Sequence, residues 1–377
     1  MNSFLTLKGT LAERNRQQGQ HFKSILNQLI QEIRTIPLTQ RDIRFPLFLY
    51  KMGLPLIGHH YLKKHRPLLN QNKTNNYEEA LNQLAQGFEV SPSLLYGFQA
   101  FEPLSSKLPY TLGCCALTIT SQASTLNKPL LAYNHDFPEA FGSFLFLKKN
   151  ICTDAYTNLA LGYPPLMGAI AGINEHGLCV SLNHAYATDV TSKASLAPTL
   201  IVQRILNECK NISEAVQLGQ SVTATNGSLI TLMDLQENRA VIEVSANRQQ
   251  IRIPQKPIEA TFNQYQTKFM QEIEIPLNAQ GTGIYSGHLI HEHSIKRQNR
   301  FKTLLAEQNS PVSPKQIHSW LSDHDQKGGD FFTICRHHPK TASTLTSIII
   351  SPRDLTIDVI WGKPCQGAYQ TYSLTND

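Results

Sequence analysis

Charge is scarce in this sequence. Only 16% of its 377 residues are Asp, Glu, Lys or Arg, and Lys plus Arg exceeds Asp plus Glu by 34 − 28 = 6. So slight a positive bias suits an anionic substrate but falls short of a nucleic-acid footprint. With 41% hydrophobic residues, the chain is too apolar to stay unfolded. Its seven cysteines include no C-x-x-C pair, which argues against a disulfide scaffold or a structural zinc module and for a reducing compartment. Long uninterrupted apolar runs are missing too. The longest suspect, Ile43 to Tyr61, contains Arg44, Lys51, two prolines and two histidines. A spanning helix needs about 20 mostly uncharged residues, so a buried or amphipathic segment is expected there and no membrane span. The opening stretch, MNSFLTLKGTLAERNRQQ, has no basic region followed by an apolar core and a small-residue cleavage site. No signal peptide is read, and a cytoplasmic location is expected.

What is present reads as helices first, then strands. Apolar residues recur at helical steps over residues 10–35, with Leu11, Phe22, Leu26, Leu29 and Ile33 on one face. A second helix is expected over Tyr77 to Phe88, and a third begins at Ser91-Pro92. The character changes at Thr111. GCCALTITS alternates as a strand, Asn127-Lys128-Pro129 is a turn, and Leu130 to Asn134 returns. Another hairpin turns at Asn174-Glu175-His176-Gly177. A helix is expected over Thr199 to Gln220, strands over 228–234 and 240–245, helices over 294–306 and 314–322, and strands over 332–337, 344–351 and 355–360. Hairpin-joined strands with interleaved helices make an α+β fold, with two stacked antiparallel sheets covered by helices.

Cys114 and Cys115 open the first strand of the β region. Taken alone they read as small buried apolar residues. A hairpin returns the segment Tyr133-Asn134-His135-Asp136-Phe137 to the start of that strand, so Asn134 and Asp136 are candidates to stand beside Cys114. Asn183 ends the second strand of the later hairpin, where a side-chain amide can donate to a developing oxyanion. His291-Glu292-His293, His59-His60 and His337-His338 are the candidate metal ligands, but spacing identifies no third ligand for any of them. No metal and no cofactor are predicted.

Taken in order, these residues resemble a known family. The chain is similar to the N-terminal-nucleophile (Ntn) hydrolases of the acyl-CoA:6-aminopenicillanate acyltransferase, or peptidase C45, type, which are related to choloylglycine hydrolases. Gly113-Cys114, Tyr133 to Phe137, Gly172 to Asn183, and Asn226-Gly227-Ser228 with Asp234 and Glu243 carry the likeness. Phe262-Asn263-Gln264, Ser294 with Arg297 and Arg300, Ile334 to His337, Thr346 to Gly362, and Gly9 with Glu13, Arg14 and Gly19 extend it. Tyr133, Gln264 and Cys115 depart from the family's usual residues.

The resemblance implies a four-layer αββα sandwich with a helical N-terminal segment, residues 1–113, and a catalytic segment, residues 114–377. It implies self-cleavage before Cys114, leaving two associated pieces of one chain. Cys114 would be the nucleophile, its α-amine the base, Asp136 the anchor of that amine, and Asn183 and Asn263 the groups facing oxyanion or amine. Tyr133, Asn134 and Arg297 would bind or orient substrate, although a buried helical Arg is also a structural partner for a carboxylate such as Asp136. The implied substrate is an N-acyl amide or an acyl-CoA thioester, attacked through an acyl-cysteine. The competing reading is an uncleaved binding protein on the same fold. Between the two cysteines, strand alternation lets one face the site, and the apolar positions Leu117 and Ile119 favour Cys114.

Overall fold

The computed structural model describes residues 3–33, 46–70, 76–105, 113–189, 193–281, 286–308, 310–325, 328–338 and 342–375. Thr111, Ile43 and the end of the expected first helix lie outside them. The chain opens with β1 (Ser3–Gly9), then α1 (Leu11–His21), α2 (Leu26–Ile33), α3 (Leu47–Leu69), α4 (Tyr77–Phe88) and α5 (Pro92–Ser105). Six strands follow: β2 (Gly113–Ile119), β3 (Leu130–Phe137), β4 (Phe146–Cys152), β5 (Asn158–Gly162), β6 (Ala171–Asn174) and β7 (Cys179–His184). After α6 (Pro198–Glu208) and α7 (Ile212–Ser221) come β8 (Ser228–Met233), β9 (Arg239–Val244), β10 (Gln249–Arg252) and β11 (Ile258–Thr261). Helices α8 (Lys268–Gln271), α9 (Glu292–Ala306) and α10 (Pro314–Leu321) lead to β12 (Ser343–Ser351), β13 (Thr356–Trp361) and β14 (Gln370–Ser373).

The strands form two sheets. One has eight strands in the order β1-β4-β5-β6-β7-β8-β9-β10, the other six in the order β11-β2-β3-β12-β13-β14. Alternation explains how the sheets stack. In β2, Cys114 and Ala116 belong to the main core, while Cys115, Leu117 and Ile119 belong to a second core. In β3 the split is Leu131 and Tyr133 against Leu130 and Ala132, and in β12 it is Ile348 and Ile350 against Ile349. A strand buried on both faces carries apolar residues at every position, which is why these segments read as near-continuous runs. The second core is closed by Phe301 of α9 and by Ile317 and Trp320 of α10. On the far side of the eight-stranded sheet, α6 is buried from Pro198 to Asn207, and Gly219 of α7 packs on Ile242 of β9. Helices, sheet, sheet, helices is the expected αββα sandwich. Each large apolar side chain so enclosed contributes about 1.5–3 kcal/mol.

The N-terminal segment is less purely helical than the sequence suggests. β1 runs parallel to β4 from Ser3↔Phe146 to Gly9↔Cys152, forming the edge of the eight-stranded sheet. The Thr10–Glu13 capping box then starts α1. Helices α1 and α4 cross closely because Gly19 and Gly87 meet backbone to backbone, and a Cβ on either would strike the other helix. The single helix expected over residues 10–35 breaks at a short 3₁₀ turn, Lys23–Ile25. That expected over Thr199 to Gln220 stops at Cys209, because Asn211 accepts the Glu214 N–H and caps a new helix. The strand expected over 332–337 does not form. Asp330 Oδ1 accepts the Phe332 N–H and Thr333 Oγ1 accepts the Asp330 N–H, so side chains there compete with the sheet for the backbone.

Candidate active site

The β2–β3 hairpin sets the geometry. Gly113 pairs with Asp136, Cys114 with His135, Cys115 with Asn134 and Ala116 with Tyr133. Cys114 and His135 therefore face the interior between the sheets. Cys115 and Asn134 face the layer of α9 and α10, where Asn134 Nδ2 donates to the Leu321 carbonyl at 2.9 Å. Asn134 is thus turned away from Cys114, contrary to the sequence expectation, because neighbours on a strand point to opposite faces.

Cys114 Sγ lies 3.1 Å from the Tyr133 hydroxyl and 3.8 Å from His135 Nδ1. Tyr133 also reaches the Leu182 carbonyl on the other sheet at 2.6 Å. One hydroxyl proton serves both acceptors, and the shorter contact is to Leu182. His135 Nε2 is 3.1 Å from the Tyr163 hydroxyl. Burial pushes the Cys114 thiol up to about 11, with the Asp136 charge adding to the shift. Burial also drives His135 down to about 3. Both groups are neutral at pH 7, so no thiolate–imidazolium pair is preformed.

The backbone nitrogen of Cys114 has its own environment. Its N–H donates to Asn263 Oδ1 at 3.2 Å. Asn263 Oδ1 also accepts from Arg297 Nη2 at 2.6 Å, while Asn263 Nδ2 donates to the His184 carbonyl at 2.8 Å. Arg297 Nη1 donates to Asp136 Oδ2 at 3.0 Å and to the Cys114 carbonyl at 3.3 Å. Asp136 is fully enclosed. Thr344 Oγ1 donates to its Oδ1 at 2.7 Å, and Arg336 Nη1 stands 3.8 Å from its Oδ2. Burial pushes the Asp136 carboxyl up, against the pull of Arg297, Arg336 and Thr344. Gly113 lies under this cluster, and a Cβ there would strike Arg336 and crowd Arg297 and Asp136. Close approach of charged side chains thus accounts for glycine at this position.

Asn183 sits elsewhere. Its Nδ2 donates to the carbonyls of Thr261 at 2.9 Å and Phe262 at 3.3 Å, tying the two sheets together. With Nδ2 turned to these two carbonyls, Asn183 is not presented as an oxyanion donor in this structure. The His291–His293 pair also separates. His291 Nε2 contacts the Ile275 carbonyl at 2.8 Å, while His293 Nδ1 lies 3.2 Å from Arg297 Nη2. Three contributors were given no role in the site from the sequence. His135 was legible from the hairpin register that places it opposite Cys114. Arg336 lies in the Ile334–His337 segment that carries the family likeness, but only the fold brings it to Asp136, and Thr344 comes from a segment 208 residues from Asp136 with no local signal.

A cavity of about 140 Å³ opens beside Cys114. Cys114, His135 and Asp136 border it, with Tyr163, Ile170, Leu182 and His184 from the facing sheet side. Leu29 and Ile33 of α2 and Phe98 of α5 line it from the N-terminal segment. An apolar cavity of about 150 Å³ can hold benzene, so this one has room for an aromatic ring or a short acyl chain.

Residues 124–366 match the family described as acyl-coenzyme A:6-aminopenicillanic acid acyl-transferase. The chain belongs to this acyl-transferase family. The matched segment contains Asp136, Asn183, Asn263 and Arg297 and begins after Cys114. Among curated proteins, none matches this chain. Similar solved structures include the N-acylethanolamine-hydrolyzing acid amidase ortholog of Caenorhabditis elegans, at 14% identity and TM-score 0.42, over 63% of this chain and 93% of that one. Penicillin V acylase from Agrobacterium tumefaciens is 13% identical at TM-score 0.41, over 70% of this chain and 86% of that one. A mutant conjugated bile acid hydrolase from Clostridium perfringens is 10% identical at TM-score 0.39, over 69% and 96%. Among the described residues, no helix is long and apolar enough to cross a membrane.

Proposed function

We propose that this acyl-transferase family member is an N-terminal cysteine enzyme that cuts itself between Gly113 and Cys114 and then hydrolyses or transfers the acyl group of a linear amide or thioester. In maturation, Cys114 Sγ attacks the Gly113 carbonyl and the peptide C–N bond breaks. The Cys114 nitrogen takes the thiol proton. Water then hydrolyses the thioester, leaving a Gly113 carboxylate and a free Cys114 amine. In catalysis that amine accepts the thiol proton as sulfur attacks the substrate carbonyl. The resulting ammonium protonates the leaving group, and the acyl-cysteine passes to water or to an amine.

The observation that carries this reading is the pairing of an interior thiol with an anchored nitrogen on one residue. The Cys114 thiol borders an apolar cavity, and its nitrogen already rests on Asn263, within the Arg297–Asp136 cluster. A thiol held near 11 needs a base at pH 7. His135, held near 3, is a weak one, whereas an α-amine has a reference pKa of about 7.7–8.0. The cavity's size and lining favour a compact apolar or aromatic acyl group.

Intact mass and N-terminal sequencing of the purified protein test the proposal. Two fragments are expected, the larger starting Cys-Cys-Ala. Cys114→Ala should remain one chain and be inert, while Cys115→Ser should cleave and turn over N-acyl amide or acyl-CoA substrates. A larger fragment starting Cys-Ala would move the nucleophile to Cys115. A wild-type chain that stays whole and forms no acyl-enzyme would leave the binding-protein reading.

A further inference from the structure

Away from the cavity, four side chains from three segments converge. His324 follows α10, Cys335 and His337 stand two apart in the irregular segment before β12, and Cys365 lies in the 3₁₀ turn Pro364–Gln366 after β13. His337 Nε2 is 3.2 Å from His324 Nε2, 3.4 Å from Cys335 Sγ and 3.2 Å from Cys365 Sγ. The two sulfurs are 3.7 Å apart, and all four ligand atoms lie within 4.8 Å of one another.

Hydrogen bonding alone does not account for this arrangement. A ring nitrogen makes one in-plane hydrogen bond, yet three polar atoms crowd His337 Nε2. A shared centre does account for it. Tetrahedral zinc, with bonds of about 2.3 Å to sulfur and about 2.0–2.1 Å to nitrogen, spaces two sulfurs about 3.8 Å apart. It spaces sulfur and nitrogen about 3.5 Å apart and two nitrogens about 3.3 Å apart. The four short separations here agree with those values to within about 0.4 Å, and the remaining separations between His324 and the sulfurs, up to 4.8 Å, would close by about 1.3 Å when the ion draws His324 in.

We propose that His324, Cys335, His337 and Cys365 bind one zinc ion. Two thiolates and two imidazoles form a donor set that selects zinc over oxygen-seeking cations. Four protein ligands leave no open position, which makes the site structural. On binding, each thiol loses its proton, so two protons are released per ion and nothing is oxidised or reduced. Cys365 is exposed, which gives the ion a route in. The sequence offered His337 as a candidate ligand but not its partners, because positions 324, 335, 337 and 365 follow no ligand spacing. Its consequence reaches the active site. Arg336 stands between ligands Cys335 and His337 and extends to Asp136, so the ion would hold the segment that delivers this guanidinium.

The test uses the purified full chain in reducing buffer. Elemental analysis should find about one zinc per chain. Cobalt replacement should give the visible bands of a tetrahedral ion and a near-ultraviolet thiolate-to-cobalt band. Cys365→Ser, at an exposed position, should fold and bind zinc at least tenfold more weakly, with the thiolate band reduced. His324→Ala should weaken binding while keeping that band. Absence of zinc uptake at micromolar free zinc with both thiols reduced would overturn the proposal. So would thiol counting that finds Cys335 and Cys365 joined as a disulfide in the protein as purified.

Discussion

Replacing Arg297 with Met removes a guanidinium that is fully buried and bound to Asp136 at 3.0 Å, Asn263 at 2.6 Å and the Cys114 carbonyl at 3.3 Å. The Asp136 carboxylate would keep Thr344 at 2.7 Å and the more distant Arg336 at 3.8 Å. Breaking a buried pair from one side costs about 3–5 kcal/mol, because a charge is left without its compensation. Arg336 remains nearby, so the lower end, about 3 kcal/mol, is expected. The assay is urea unfolding of single-chain Cys114→Ala protein, followed by tryptophan fluorescence, with and without Arg297→Met. Adding Asp136→Asn removes the orphaned charge. The double variant should be less destabilised than the sum of the singles by about 1–3 kcal/mol. The pH dependence gives a second readout. Without Arg297, the folded-state pKa of Asp136 rises further above its unfolded value. The folded state then holds a proton that the unfolded state has lost, so the variant's stability should fall as pH rises above about 4. Asp136→Asn should abolish that slope. A cost below about 1 kcal/mol, or strict additivity, would refute the view that Arg297 compensates Asp136.

Two further outcomes follow from the same geometry. His135 is held near 3 and His184 near 4 by burial, and His293 is pushed well below the ordinary histidine value. Unfolded histidines take a proton below about 6.5, so stability should drop as pH falls from 6.5 towards 4, by up to about 1.4 kcal/mol per pH unit for each histidine. His135→Gln should remove one proton's worth of that slope in urea titrations at several pH values, and an unchanged slope would mean His135 is not buried and neutral. For Asn183→Ala, the Thr261 and Phe262 carbonyls lose their donor, which should cost about 1–3 kcal/mol of stability with kcat changed less than tenfold at low temperature. A loss of roughly 10²–10³ in kcat at full stability would instead return Asn183 to the oxyanion.

The register of β2 against β3 was readable because a turn at Asn127-Lys128-Pro129 and alternating apolar residues fix a hairpin locally. That alone places Asp136 opposite Gly113 and puts Cys114 and Cys115 on opposite faces. The same alternation, carried to the partner strand, selects His135 and rejects Asn134, so this part of the site was legible and the error at Asn134 avoidable. β1 was not legible, since its partner β4 lies about 140 residues away and the pairing is parallel. Arg336 lay within the Ile334–His337 likeness and His337 among the candidate metal ligands, but the partners that give them a role, Asp136 for one and His324 and Cys365 for the other, come from segments that no sequence spacing connects to them. Asn183 was placed correctly at a strand end, but its direction depended on where the other sheet's Thr261 carbonyl would come to lie.

That division bears on how a cut chain would hold together. Residues 1–113 supply β1, paired along seven positions with β4, and helices whose apolar faces join the main core. They also supply Leu29, Ile33 and Phe98, which wall the cavity. A scission at Gly113–Cys114 would break one covalent bond and none of these contacts, so both pieces should remain associated without a disulfide. On the proposed function the two pieces would divide the work: the larger one would carry the nucleophile and hold its amine, and the smaller one would add Leu29, Ile33 and Phe98 to the apolar wall against which an acyl group packs. Separating them under denaturing conditions should therefore abolish turnover even though Cys114, Asp136, Asn263 and Arg297 all remain on the larger piece.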